Sequence, residues 1–139
     1  MGFFSVLDIS AAGMDVQQAR LEAAAQNLAN SRTTSAPGTP AYQPLTVVVH
    51  SVTGQDAAAE NLPKPVVAAT VPMNAQPRLV YDPGHPDADE RGFVSLPGVD
   101  PIGSMLDLIS ISRSYEANLH AFDLTRTLIQ KTLDIGSRR

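Results

Sequence analysis

The sequence predicts a mainly α-helical fold: an antiparallel, coiled-coil-like pair of long N- and C-terminal helices with a small β-containing middle element. Three observations carry this. All 11 prolines lie between Pro37 and Pro101, so both ends lack the residue that most disrupts a helix. Each end repeats apolar residues at seven-residue spacing. Between them, short apolar runs are separated by Pro, Gly and Asn, as strands are by turns. The chain accordingly divides into an N-terminal helix in 1–35, a Pro-rich middle in 36–99 and a C-terminal helix in 100–139.

In the first segment Leu7, Met14, Leu21 and Leu28 recur every seven residues, with Phe4, Ala11 and Ala25 in a companion position that Gln18 interrupts. That is a heptad seam. Ala12, Ala19, Ala23, Ala24 and Ala29 widen the small-residue surface, which suits close approach by more than one neighbour. The middle offers four short strands, Leu45 to His50, Val66 to Val71, Arg78 to Tyr81 and Phe93 to Leu96. The stretch from Thr53 to Asn74, rich in Ala and Pro, is expected to be mobile before assembly.

The second helix begins at Asp100-Pro101, an N-cap followed by proline at the first helical position, and stops at Gly136 with Arg138 and Arg139 behind it. Met105, Leu108, Tyr115, Leu119, Phe122, Ile129 and Leu133 form one apolar stripe along it, broken by Ser112 and Arg126. A second stripe, Ile111, Leu124, Leu128 and Ile135, points elsewhere. The first helix's seam is expected to pack on Leu108, Tyr115, Leu119, Phe122 and Ile129. Helices of about 27 and 35 residues would be roughly 40 and 50 Å long. Two such helices joined along one seam leave the second stripe uncovered, a larger apolar patch than soluble monomers expose. The sequence therefore predicts protein partners.

Composition narrows the function further. Aromatic residues are only 5% of the 139, Trp is absent, and much of the 43% hydrophobic fraction is Ala, so a large self-sufficient core is not expected. The net charge of −4 with no basic run argues against nucleic-acid binding. Cysteine is absent, which removes disulfides, thiolate metal sites and a Cys nucleophile. The N-terminus has no basic n-region and meets Asp8 before an apolar run forms, so no cleavable secretory signal is expected. No run of eighteen apolar residues exists to span a membrane.

The strongest local signature is Gln26-Asn27-Leu28-Ala29-Asn30-Ser31-Arg32-Thr33-Thr34, where Asn and Ser/Thr can satisfy helix-end carbonyls and start a turn. On chemistry alone it reads as an ordinary polar helix end. With Tyr42-Gln43 behind it, however, this run resembles the N-terminal signature of the flagellar rod and hook proteins. Tyr81-Asp82-Pro83-Gly84-His85-Pro86-Asp87-Ala88-Asp89-Glu90-Arg91-Gly92-Phe93-Val94 is similar to a segment of the proximal-rod proteins, as are Ile109 to Asn118 in the second helix and Lys131 to Gly136 at its end. The chain departs from that pattern at Ser35 to Pro40, where Pro37-Gly38-Thr39-Pro40 replaces adjacent glycines.

The resemblance implies a structural subunit of the bacterial flagellar basal-body rod, whose terminal helices assemble into a torque-transmitting tube. It implies export through the flagellum's own channel to the periplasmic rod. Its partners would be copies of itself, other rod proteins, and the inner-membrane ring and export-gate junction proteins. The expected subunit interface comprises Leu7, Met14, Leu21, Asn27, Leu28 and Asn30 on the first helix, and Leu108, Tyr115, Asn118, Leu119, Phe122, Ile129 and Leu133 on the second.

Other chemistries are weaker. His85, Asp87, Asp89 and Glu90 lie close enough to suggest a metal-dependent hydrolase. Pro83, Gly84 and Pro86 instead make Asp82, Pro83, Gly84, His85, Pro86 and Asp87 a structural turn. No catalytic motif is present, and His50 and His120 stand isolated. No enzyme activity, cofactor or metal is expected. A cytoplasmic coiled-coil adaptor shares the heptads and is the remaining alternative.

Overall fold

The computed structural model describes residues 3–53 and 62–137. Helix α1 (Phe3–Asn30) is followed by strands β1 (Leu45–Thr53), β2 (Pro63–Pro72), β3 (Arg78–Tyr81) and β4 (Phe93–Leu96), and by helix α2 (Pro101–Ser137). The strands form two separate antiparallel pairs, β1 with β2 and β3 with β4. α1 is central: α2 packs on one side of it and the β1–β2 hairpin on another.

β1, β3 and β4 begin where the sequence places them; β1 runs on to Thr53, and β2 begins three residues earlier than expected, at Pro63, and ends at Pro72. β2 occupies much of the stretch expected to be mobile. Its residues form a strand because the partner, Leu45-Thr-Val-Val-Val-His, is dense in β-branched side chains, and its alternate apolar residues Leu45, Val47 and Val49 turn inward. An irregularity between Val48 and Val49 shifts the register. The hairpin runs along α1 and is tied at both ends. Asn27 holds Leu45, and Lys64 pairs with Asp8 at 2.9 Å. The lengths agree, since nine residues of strand and the nineteen steps from Asp8 to Asn27 each cover about 30 Å.

This central position corrects the expected seam. α1 serves two partners, and its small residues take both contacts. Ala12, Val16 and Ala23 are buried, and Ala19 and Ala23 line the gap to Leu45 and Thr70. Gly13 meets α2, where an added Cβ would lie 3.0 Å from Asn118 Nδ2. The Leu7, Met14, Leu21, Leu28 heptad is displaced to the flank of the pair, with Leu21 41% exposed.

On α2 the residues turned inward are Ser104, Leu108, Ile111, Asn118, Phe122, Thr125 and Ile129, with Tyr115 at the margin. Ile111, expected on the second stripe, belongs to this inner face. Leu119, expected to pack on the first helix, is exposed, as are Met105 and Leu133 of the same stripe. The reason is that spacings of 7, 14 and 18 residues recur on several faces of a 3.6-residue helix, and only the partner chooses among them.

The helix boundaries are partly as predicted. Asp100 caps α2, its Oδ1 accepting from Ile102 N–H at 3.1 Å and its carbonyl from Ser104 N–H at 2.9 Å. The stop expected at Gly136 is not there. Gly136 keeps a negative φ, so it provides no left-handed cap, and α2 runs through it to Ser137. Arg138 and Arg139 lie outside the described residues. The β3–β4 ribbon closes through Gly92, whose φ of +81° and contact with Tyr81 leave no room for a side chain.

Candidate assembly interface

The polar helix end acts as a joint. Asn27 presents both halves of its amide to the backbone of Leu45, accepting from its N–H at 2.7 Å and donating to its carbonyl at 2.8 Å. One side chain thus replaces a neighbouring strand at the start of β1. Tyr42 donates to the same Asn27 Oδ1 at 3.0 Å. Burial raises the Tyr42 phenol above its ordinary pKa, and a hydrogen bond with the Asn30 side chain works in the opposite direction. Asn30 also donates to the Gln26 carbonyl, while Ser31 Oγ donates to the Leu28 carbonyl at 2.7 Å, so the last turn of α1 is closed by side chains.

Thr34 carries the joint onward, donating to Asp87 at 2.5 Å, and Ser35 N–H donates to the Ser95 carbonyl at 3.2 Å. These contacts fix the Asp82–Asp87 turn and the β3–β4 ribbon to the end of α1. His85 Nδ1 accepts the Asp87 N–H at 3.1 Å and lies 3.9 Å from the Asp87 carboxylate, within the same turn. Asp89 Oδ1 accepts from Arg91 N–H and Phe93 N–H within its own loop. Among the described residues no group of three His, Asp or Glu side chains converges on a point that could hold a metal. The carboxylates proposed for a hydrolase are occupied in holding a turn.

The helices leave two apolar surfaces open. One is a groove of about 390 Å³ on the flank of the α1·α2 pair, lined by Gln17, Gln18 and Leu21 of α1 and Ile111, Ser112 and Tyr115 of α2. Seven-residue steps from Leu21 and Ser112 bring Met14, Leu28, Met105 and Leu119 to the same flank. The two stripes read from the sequence therefore border a common groove. The other surface is the far side of α2, where Ile102 and Ile135 are each 72% exposed and Leu106, Ile109, Leu124 and Leu128 are also open. A third, smaller patch lies on the β3–β4 ribbon, where Tyr81, 65% exposed, meets Phe93 edge-on with ring centroids 5.3 Å apart.

The family described as "Flagellar basal body rod FlgEFG protein C-terminal" matches residues 90–135, that is, β4 and nearly all of α2. A FlgC flagellar basal-body rod protein of Aquifex aeolicus is 41% identical over 138 residues, covering 96% of this chain and 97% of that protein. The chain belongs to the FlgC family of flagellar basal-body rod proteins. FlgC proteins of Escherichia coli O157:H7 and Bacillus subtilis are 35% and 34% identical, each over 98% of this chain and 99% of their own length.

Seen as a FlgC-family chain, the residues expected at subunit contacts fall into four places. Leu108, Asn118, Phe122 and Ile129 face α1 within the molecule, Leu7, Met14, Leu21, Leu28, Tyr115 and Leu119 border or flank the open groove, and Leu133 is exposed on the last turns of α2. Asn27 and Asn30 hold the joint. Sequence reasoning missed Gly13, Ile102, Leu106 and Ile109. The outer stripe of α2 is interrupted by Arg113, Ala117 and His120, so its periodicity is broken in the middle, and only the capped start at Asp100 allows it to be phased.

Proposed function

We propose that this rod subunit works by completing its core with neighbours. One observation carries the proposal: among the described residues no Leu, Ile, Met or Phe side chain is buried, the buried apolar set outside the prolines being Ala12, Val16, Ala23 and Val94. The chain exposes 9751 Å², against roughly 6,900 Å² for a compact monomer of this mass. The surplus is of the size that obligate interfaces cover. Contact between unlike faces that do not close on themselves generates a helical tube, which suits a rod that bears torque.

Its partners on this reading are copies of itself and other rod proteins, with the inner-membrane ring and export-gate junction at the base of a periplasmic, proximal rod. It catalyses nothing; its carboxylates and histidines serve turns and surfaces. The test is to delete the chain and restore it with an affinity tag. Swimming should be lost and recovered, and the tagged chain should co-purify with isolated hook-basal bodies. Its recovery only from the cytosol would favour an adaptor instead. Replacing His85, Asp87 and Asp89 together by Ala, with swimming lost while the chain still enters the basal body, would favour a chemical role.

A further inference from the structure

We propose that the free edge of β1 receives strand β3 of a second copy of this chain, joining subunits through backbone hydrogen bonds in their middle elements. The proposal rests on the rod-subunit reading and adds a strand-to-strand contact to it. Backbone direction supplies the first argument. In an antiparallel pair alternate residues turn both backbone groups toward the partner, and the residues between them turn both away. Leu45 gives its N–H and carbonyl to Asn27, away from β2, so Val47, Val49 and Ser51 turn theirs the same way. The pairing agrees, because Pro72, Pro65 and Pro63, which have no N–H to give, stand opposite Leu45, Ser51 and Thr53.

Elimination names the occupant. The two strand pairs present an outer edge on each of their strands. The edge of β2 is interrupted by its three prolines, a common protection against strand addition. The edge of β4 is taken by Ser35, whose N–H donates to the Ser95 carbonyl. That leaves β1 beyond Leu45, and β3, where Asp82 N–H donates back to Gly92 and so turns the backbone groups of Leu79 and Tyr81 outward. Beside β1 lies a slot of about 450 Å³, floored by Ala23 and Ala24 of α1 and walled by Thr46 and Val47 on one side and Asp107 and Ile111 of α2 on the other. With Leu45 occupied by Asn27, antiparallel pairing sets Tyr81 opposite Val47 and Leu79 opposite Val49. Leu79 and Tyr81, both exposed, then share the inward face with Val47 and Val49, and large side chains meet the small floor. β1 and β3 of one chain do not touch, so the strand comes from another copy. Unlike edges meet, and the contact is heterologous and open-ended.

The test uses the absence of cysteine from the chain. Val48→Cys with Val80→Cys introduces two thiols on exposed residues that this pairing sets directly opposite each other. Oxidation of hook-basal bodies carrying the double variant is expected to give disulfide-linked dimers and longer ladders, at least about tenfold above either single variant, since opposed residues lie within disulfide reach. Basal bodies that contain the double variant but yield no such dimers overturn the proposal. Cross-linking of the Val48→Cys thiol to a different protein also overturns it. A second variant acts on the backbone alone. Leu79→Pro removes an outward N–H and no bond to β4, and is expected to cut recovery in hook-basal bodies by at least about fivefold because the added strand loses a ladder bond. Thr70→Pro, on the proline-bearing edge of β2 opposite Val47, should be recovered normally. Normal recovery of Leu79→Pro overturns the proposal. The rod reading is tested separately, by whether the unmodified chain is found in the basal body at all.

Discussion

Asn27 shows how much of this fold depends on single polar side chains. Its amide is matched to both backbone groups of Leu45 and to the Tyr42 hydroxyl, so Asn27→Ala leaves a part-buried donor and acceptor without partners. An unsatisfied buried polar group costs about 1–3 kcal/mol, and the joint between α1 and β1 is expected to weaken by about 2–3 kcal/mol. Urea unfolding should report this as a lower midpoint, with exchange protection lost first at Leu45 and Val47. Tyr42 adds a pH dependence of known sign. Its phenol is raised in the folded chain, so folding favours the neutral form. Its contribution is fully present below the unfolded value near 10, and is lost as pH rises through the folded value. Wild type should lose stability above about pH 10 more steeply than Tyr42→Phe. Equal slopes would show that Tyr42 does not titrate against folding.

At the scale of elements, helices pair through what is absent as much as through what is present. Gly13 lies close against α2, and a methyl group there meets the Asn118 amide at 3.0 Å. Replacing glycine by alanine within a helix gains about 0.5–1 kcal/mol in backbone terms, which the displaced Asn118 offsets. Gly13→Ala is expected to be nearly neutral alone and stabilising by about 1 kcal/mol once Asn118→Ala has made room, a non-additivity that a double-mutant cycle measures. Additive effects would place the helices farther apart than 3.0 Å implies. The same contact explains what was legible. Both helices, the Asp100 cap, the Asn-rich helix end and the strand positions follow from local chemistry that operates within a few residues. The facing of the helices does not. Leu7, Met14, Leu21 and Leu28 form a sound heptad, yet which heptad is buried depends on the β1–β2 hairpin claiming Ala12, Val16 and Ala23 first. The groove was legible as two stripes, but its being a groove depends on that competition. Ile111 was misassigned for the same reason, and Gly136 because a glycine permits a stop without imposing one.

For the whole molecule, the decisive quantity is how little large apolar surface the chain hides alone. Among the described elements, α1 is covered from two directions, by α2 and the hairpin, whereas α2 packs only on α1. Bringing Gly13 level with Asn118 in an antiparallel pair exhausts α1 near Ile129, so the last two turns of α2, with Leu133 and Ile135, extend beyond it. Helix of that kind has no packed face, and an isolated helical segment of so few residues is unstable in water. Dilute monomer is therefore expected to show amide protection falling from α1 and β1 to α2, and along α2 towards its C-terminus. Its global stability should lie at or below the lower end of the usual range, about 5 kcal/mol. Incorporation into the rod should add helical signal and slow exchange throughout α2, because burial by neighbours stabilises the assembled form by mass action. A dilute chain that unfolds in one cooperative step from full helicity, with α2 as protected as α1, would mean that the exposed leucines need no neighbour and that assembly rests on some other surface.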